Sequence, residues 1–267
     1  MLLPTGTKAY GVHLVSAFPF RDNLPLSEDL PRTPEPDRSQ NFYYHLCDWL
    51  AQECQGKAWT WCEIRPDIVV GFMPNNNFYG ISQVFATFLA LFKEVHGEGA
   101  ECPFPGTETV WENQVNNDSS QDIIARFATH CSLHSETCGQ GQAFNIADNS
   151  EPATWKTKWP TLCEYFGLKG TPPPNGGGPD LASFFRDHSA QSQKMENRYG
   201  LVSGRVGNDR TLVEISQMLL QYLNFDRRLD MTKCHKAWNA GGQAQQVTSQ
   251  TAWWTAFDRF RAAKIIP

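Results

Sequence analysis

The sequence predicts an α/β protein, and three observations carry that prediction. Short runs of β-favouring residues alternate with stretches whose apolar positions recur at helical spacing. Clusters of proline, glycine and asparagine punctuate the chain between them. One stretch, residues 79–96, is apolar nearly all round and is expected to be a buried helix. With 267 residues, 40% of them hydrophobic and 12% aromatic, the chain is long enough to bury a sizeable core in one domain or one and a half.

In chain order, residues 1–5 read as the end of a strand and Thr5-Gly6-Thr7 as the loop leaving it. Residues 11–40 form a long irregular connection, where Pro31, Pro34 and Pro36 exclude a helix because proline lacks the amide hydrogen. Over residues 41–53, Tyr43, Leu46, Cys47 and Leu50 follow helical spacing, which puts Tyr43 in the first turn. Residues 59–64 read as an aromatic-rich strand ending at Arg65-Pro66. A second short run, residues 68–72, leads into the turn cluster Pro74-Asn75-Asn76-Asn77. Ser119-Ser120-Gln121-Asp122 has the form of a capping box opening a helix near residue 119.

Residues 144–147 read as a strand, after which Glu151-Pro152 opens a helix with Trp155, Trp159, Leu162 and Phe166 on one face. The proline- and glycine-rich run over residues 171–179 has the composition of a linker or exposed loop. Beyond it, residues 181–198 and 211–223 are expected to be helical, and Trp253, Trp254, Phe257 and Phe260 mark a last amphipathic helix. The expected organisation is an α/β portion over residues 1–170 and a smaller, mostly helical lobe over residues 171–267.

Charge and composition exclude several classes. The net charge is −5 and no long basic run exists, which argues against a nucleic-acid partner. Met1-Leu2-Leu3-Pro4 lacks the basic region and apolar core of a signal peptide. The longest helical apolar stretch, residues 84–92, is far shorter than the ~20 residues a bilayer requires. A soluble, cytoplasmic protein without a membrane partner is expected. The eight cysteines are scattered with no Cys-x-x-Cys pair, which favours reduced thiols. His130 and His134 stand four apart beside Cys131 and Cys138, a spacing one metal ion can use. The segment reads instead as a fraying helix end, where histidines suit the helix dipole, and no metal site is expected.

One pairing carries chemistry. A phenol titrates near ~10, so at neutral pH it is an adequate acid and a poor base. A neighbouring ammonium favours the phenolate and lowers that value. Lys8 and the stretch Asn41-Phe42-Tyr43-Tyr44 supply the two groups, although aromatic clusters more often serve packing. A second pair, Tyr165 and Lys169, has the Tyr-x-x-x-Lys spacing that places both on one helical face. Gly167 and Gly170 interrupt that helix, which leaves Lys169 as a charge at its C-terminal end.

Several separated motifs occur in one order: Thr5-Gly6-Thr7-Lys8-Ala9-Tyr10, Glu28-Asp29-Leu30-Pro31-Arg32, Asn41-Phe42-Tyr43-Tyr44 and Arg65-Pro66-Asp67-Ile68-Val69-Val70-Gly71-Phe72. Phe144-Asn145-Ile146-Ala147-Asp148, Trp155 and Trp253-Trp254 follow. This order resembles the progesterone 5β-reductase/iridoid synthase-like (PRISE-like) extended short-chain dehydrogenases over essentially the whole chain. The resemblance implies the C-terminal part of a Rossmann-like doubly wound sheet with a smaller, mostly helical substrate lobe. It matches Tyr43 to the catalytic tyrosine and Lys8 to a lysine drawn from the upstream strand-end loop. It matches Val69, Asn76, Asn77 and Phe78 to positions on the nicotinamide side of NADP, and Thr5 to a strand-end hydroxyl. The implied reaction is NADPH-dependent reduction of an enone or enal of a small secondary-metabolite-like or steroid-like molecule. In it Tyr43 supports the developing enolate, Lys8 holds the nicotinamide ribose and Tyr44 is a neighbouring positioning candidate. Phe78 and Tyr79 are expected to line an apolar pocket, and Phe85 to serve the core. An alcohol/ketone reaction of the same superfamily, or a non-catalytic binding remnant, uses the same residues and stays open.

The Gly-x-Gly-x-x-Gly loop that cradles a dinucleotide pyrophosphate is absent. Gly97-Glu98-Gly99 is followed by Cys102 where the third glycine belongs, and Gly200, Gly204 and Gly207 have the wrong spacing. By the resemblance the chain begins at about the fifth strand of the sheet. The expectation is that residues 1–267 alone self-associate through an uncovered strand edge and bind NADPH weakly.

Overall fold

Three short parallel strands lie beneath the candidate site: Leu2–Pro4, Cys62–Pro66 and Gln142–Ile146, in that order across the sheet. Their register pairs Leu2 with Cys62 and Cys62 with Gln142, so the middle strand is Cys62–Pro66. Parallel neighbours require crossover connections. The connection leaving Leu2–Pro4 contains the helix Phe42–Glu53, and the one reaching Gln142–Ile146 contains the helix Gln121–Leu133, which packs on all three strands. The computed structural model describes residues 1–77, 79–206, 216, 218–239 and 246–267.

The contacts group into two units that interleave along the chain. The first comprises Met1–Val69, Val115–Pro152 and Asp226–Thr248; the second comprises Val70–Gln114, Ala153–Phe225 and Ser249–Pro267. The sequence expectation divides the chain once, at residues 170/171, whereas these units are discontinuous and the run 171–179 falls inside the second.

In the first unit, Phe127 on the helix Gln121–Leu133 meets Phe144 edge-on at 5.4 Å and Trp238 at 5.2 Å between ring centroids. Trp238 belongs to the helix Thr232–Asn239, which sequence periodicity did not reveal. On the other side, Cys47 and Leu50 of the helix Phe42–Glu53 pack on Trp61. In the second unit, the helix Ile81–His96 is buried continuously from Ile81 to Phe92, as its all-round apolar composition requires. Phe85 meets Trp155 at 5.5 Å, Trp159 at 5.6 Å and Trp253 at 5.8 Å, so three helices share one aromatic core.

Several boundaries differ from expectation, each for a local reason. The strand expected at 59–64 is Cys62–Pro66, because Trp61 serves the helix contact rather than the ladder. Residues 11–40 hold a 3-10 segment, Val12–Ala17, and a single helical turn, Asp37–Gln40, immediately after Pro36, where a missing amide hydrogen costs nothing. The helix expected from 119 starts at Gln121, because Ser119 and Ser120 belong to the strand Asp118–Ser120 and Ser120 is the cap. The helix expected to open at 151 is Trp155–Tyr165, capped reciprocally by Thr154 and Thr157. Helix 181–198 is two helices, Leu181–Asp187 and Ser189–Tyr199, broken at His188. Of the helix expected at 211–223, residues 211–215 and 217 lie outside the described residues, and Met218–Tyr222 is a π-helical turn. The closing helix is Ser249–Ala262.

Lys169 is not a helix-end charge. It opens the strand Lys169–Thr171, which pairs in parallel with Glu101–Pro103. Glycine is required at 170 because a Cβ there would stand 2.8 Å from Pro160 Cα, so the strand is pressed on the helix Trp155–Tyr165.

Candidate active site

The strand Leu2–Pro4 runs on through Thr5, whose amide donates to Ile64 O at 2.9 Å, into Gly6 and the 3-10 turn Thr7–Tyr10. A Cβ at Gly6 would stand 3.3 Å from Pro66 O and 4.0 Å from the Tyr43 hydroxyl. The bare glycine therefore lets the turn pass close to the Pro66 carbonyl, with the Tyr43 phenol beside it. Lys8 is half-buried, and its Nζ lies 5.3 Å from the Phe42 ring centroid, within cation–π range.

Facing this turn is the N-terminus of the helix Phe42–Glu53. Asn41 is its cap: Oδ1 accepts from the Tyr43 amide at 3.1 Å while Nδ2 donates to Lys8 O at 3.0 Å. Tyr43 is half-buried and its ring lies 4.4 Å from that of Phe42. Asn41 thus joins the Lys8 and Tyr43 segments, with the Tyr43 hydroxyl near Gly6 and the Lys8 ammonium beside Phe42. Tyr44 points elsewhere. It is buried, donates to Ala9 O at 2.6 Å and accepts from Thr33 N at 3.0 Å. Its hydroxyl is a structural tie, which corrects its reading as a candidate for positioning substrate. The inward face of the helix is Tyr44, Cys47 and Leu50 rather than Tyr43 and Leu46, and Leu46 is exposed.

Beneath the turn lies a buried polar layer that sequence reasoning missed. The Thr5 hydroxyl donates to Glu63 Oε1 at 2.6 Å, and Glu63 Oε2 takes Arg65 Nη2 at 2.7 Å. The Arg65 guanidinium lies 5.0 Å from the Tyr10 ring centroid, and Tyr10 donates to Asn145 Oδ1 at 2.7 Å. Asn145 Nδ2 donates to Leu26 O and Asp230 O, and its amide donates to Glu28 Oε1 at 2.6 Å. Burial raises the Tyr10 phenol well above its ordinary value, with Arg65 pulling back, so Tyr10 stays a hydrogen-bond donor. Burial also raises Glu28, against the Asn145 amide. The available signal was Glu63, Arg65 and Asn145 standing in runs whose other residues read as buried strand.

A second buried link runs from Thr7, whose hydroxyl donates to Asp67 Oδ1 at 3.1 Å. Arg227, fully buried, brings Nε to 3.0 Å from Asp67 Oδ2. The Asp67 amide is held by Ser119 Oγ at 3.1 Å.

The remaining expected residues are placed as follows. Val69, on the strand Ile68–Val70, is 45% exposed. Asn76 and Asn77 lie in the second unit and are engaged locally. Gln83 Nε2 donates to Asn76 Oδ1 at 2.8 Å, and Asn77 Oδ1 accepts from the Tyr79 amide at 2.7 Å. Phe78 lies outside the described residues. Tyr79 is exposed and Phe85 is core. Tyr165 donates to Asp258 at 2.7 Å, and with Lys169 on a separate strand the two make no helical-face pair. The rings of His130 and His134 lie 4.4 Å apart and tilted by 36°, His130 bonding Ala237 O, and no metal-binding group of three occurs among the described residues. All eight thiols are free, and no helix among the described residues is long and apolar enough to cross a membrane.

Residues 1–267 match the family described as the PRISE-like Rossmann-fold domain. Short chain dehydrogenase sirQ of Leptosphaeria maculans is 34% identical over 98% of this chain, which spans 65% of that protein. The (S)-8-oxocitronellyl enol synthase of Nepeta racemosa is 31% identical over 77% of the chain and 51% of its own length. The 3-oxo-Delta(4,5)-steroid 5-beta-reductase of Arabidopsis thaliana is 30% identical over 62% and 40%. The chain therefore spans less than two thirds of the length of these relatives. Among solved structures, RMD from Pseudomonas aeruginosa complexed with NADPH superposes with a TM-score of 0.57 at 11% identity, covering 98% of this chain and 66% of that one. That likeness bears on the fold, which is Rossmann-like.

Proposed function

This chain belongs to the PRISE-like Rossmann-fold domain family, and we propose that it carries the catalytic lysine and tyrosine of an NADPH-dependent oxidoreductase. Its proposed substrate is an enone or enal of a small secondary-metabolite-like or steroid-like molecule. The observation that carries the reading is that Asn41 bonds both the Lys8 carbonyl and the Tyr43 amide, which brings the two segments together, with the Tyr43 hydroxyl beside Gly6. The names of two relatives, an enol synthase and a 3-oxo-steroid 5-beta-reductase, support the substrate class.

Gly6 presents no side chain beside the Tyr43 hydroxyl, which supports the reading that this face takes the ribose end of a nicotinamide cofactor. Lys8 and Tyr43 would hold that ribose, with Val69 beside the strand end. Bound NADPH supplies the hydride that reaches the β-carbon. As negative charge develops on the substrate's carbonyl oxygen, Tyr43 donates its hydroxyl proton toward it, stabilising the enolate. The Lys8 ammonium favours the phenolate that this donation approaches, making the proton easier to give. Thr5 is committed to Glu63, so its hydroxyl supports the turn rather than the substrate.

The test uses protein expressed from the full reading frame that contains these residues, assayed with NADPH against an enone, an enal and a simple ketone. Tyr43→Phe is expected to lower enone reduction by at least ~10²-fold with NADPH affinity nearly unchanged. Lys8→Ala is expected to weaken both. Full turnover in Tyr43→Phe overturns the assignment, and reduction of the ketone alone moves the reaction to the alcohol/ketone class.

A further inference from the structure

We propose that Asn41 is the positioning residue that fixes Lys8 against Tyr43, through one side-chain amide bonded to both segments. The inference rests on the reading above for its functional meaning, and its geometry stands without it. Asn41 is 2% exposed, and both ends of its amide are used: Nδ2 donates to Lys8 O at 3.0 Å and Oδ1 accepts from Tyr43 N at 3.1 Å. Only one orientation of the amide works, because the reverse would set NH2 against an N–H and oxygen against a carbonyl.

A helix cap needs only the acceptor. Serine, threonine and aspartate fill that role as well as asparagine does. Donation to a second segment is what asparagine adds, and none of those acceptors reproduces it at this reach. The Lys8 carbonyl already accepts from the Gly11 amide at 3.0 Å, which closes the 3-10 turn, so Asn41 occupies its second lone pair. From the far side, Thr7 is anchored to the buried Asp67. The turn is thus tied at adjacent residues in opposite directions, and Asn41 is the tie that faces the tyrosine. Its bond to the amide of Tyr43 itself means that the backbone positions of lysine and tyrosine are set by the same six-atom plane.

Two substitutions separate capping from positioning. Asn41→Asp keeps the cap acceptor and the shape but cannot donate to Lys8 O, and Asn41→Ser keeps the acceptor while shortening the reach and adding no charge. Asn41→Ser is expected to melt close to the parent because it remains a good cap, whereas Asn41→Asp sets a buried carboxylate oxygen against Lys8 O and is expected to melt lower. In hydrogen–deuterium exchange of the cofactor-free chain, the peptide covering residues 5–10 is expected to exchange on the order of tenfold faster in both. The helix peptide covering residues 42–53 should be unchanged.

In the assay with NADPH, kcat is expected to fall on the order of tenfold with substrate KM held within about twofold, as a misplaced catalytic pair requires. Unchanged exchange at residues 5–10 overturns the proposal whatever the enzyme does. Faster exchange with unchanged turnover, in a protein that Tyr43→Phe inactivates, shows a structural tie only and also overturns it. If Tyr43→Phe and Lys8→Ala retain full turnover, it is the functional reading that fails, and the two failures are told apart by those variants.

Discussion

Asp148→Asn is expected to stabilise the protein at pH 8 and to leave it nearly unchanged at pH 4. Asp148 is 1% exposed, two residues after the strand Gln142–Ile146. Its Oδ1 accepts from the Ser120 amide at 3.0 Å and from the Ser120 hydroxyl, while Oδ2 is buried with no hydrogen-bond partner. Burial raises its carboxyl from 3.8 to about 7, the Ser120 bonds pulling back and Asp118 and Asp122 adding repulsion. Because the folded value lies above the unfolded one, the folded state binds the extra proton between them. Stability therefore falls as pH rises through that window, and the penalty is complete above about 7. The separation corresponds to on the order of 4 kcal/mol as a ceiling. With local relaxation, about 2 kcal/mol of recovery by the neutral amide is a reasonable expectation, or about 4–8 °C in melting temperature. Asparagine retains the acceptor for Ser120 and places an amide where the protonated acid has its hydroxyl. Thermal melts of parent and variant at pH 4 and pH 8 decide the matter. An equal gain at both pH values, or a loss at pH 8, would refute a carboxyl held high by burial.

Arg227→Met leaves Asp67 charged and buried, and is expected to cost about 3–5 kcal/mol in urea unfolding. Adding Asp67→Asn should restore much of that loss, and additive single costs would show that the two side chains are not coupled. Tyr44→Phe strips a buried hydroxyl from Ala9 O and Thr33 N and should cost about 1–3 kcal/mol, whereas Tyr43→Phe should stay within about 0.5 kcal/mol. Equal costs in the same urea melts would mean that the inward and outward tyrosines are exchanged.

The elements readable in the sequence were those whose own residues decide them. Ile81–His96 is apolar on every side and has no soluble alternative to burial. Ser249–Ala262 shows the helical period through Trp253, Phe257 and Phe260. Where the sequence misled, a second element had claimed the residue. Trp61 reads as strand by propensity, yet Cys47 and Leu50 take it as their packing surface and the ladder begins one residue later. Lys169 reads as a helix-end charge until the strand Glu101–Pro103 pairs with it, a partner more than sixty residues away that no local window contains. The helix Thr232–Asn239 escaped because lysines and a histidine surround its buried Cys234 and Trp238, leaving too narrow an apolar stripe to register.

The candidate site divides along the same line. Lys8 and Tyr43 were identified by motif order, but the sequence could not say which of two adjacent tyrosines faces inward. Helical spacing from Leu50 back through Cys47 reaches Tyr43 by steps of three and four, and Tyr44 by two steps of three. The choice is made by Ala9 O, which accepts from the Tyr44 hydroxyl, and the Thr33 amide, which donates to it; they orient the helix so that Tyr43 stands half-buried near Gly6. Thr33 lies in the proline-rich connection that reads as irregular, and its own burial there is what makes it a fixed partner. The tyrosine committed to structure therefore determines the orientation of its neighbour, the proposed catalytic one. Losing the Tyr44 hydroxyl should for that reason depress turnover as well as stability, although that hydroxyl is buried and bonded to Ala9 and Thr33.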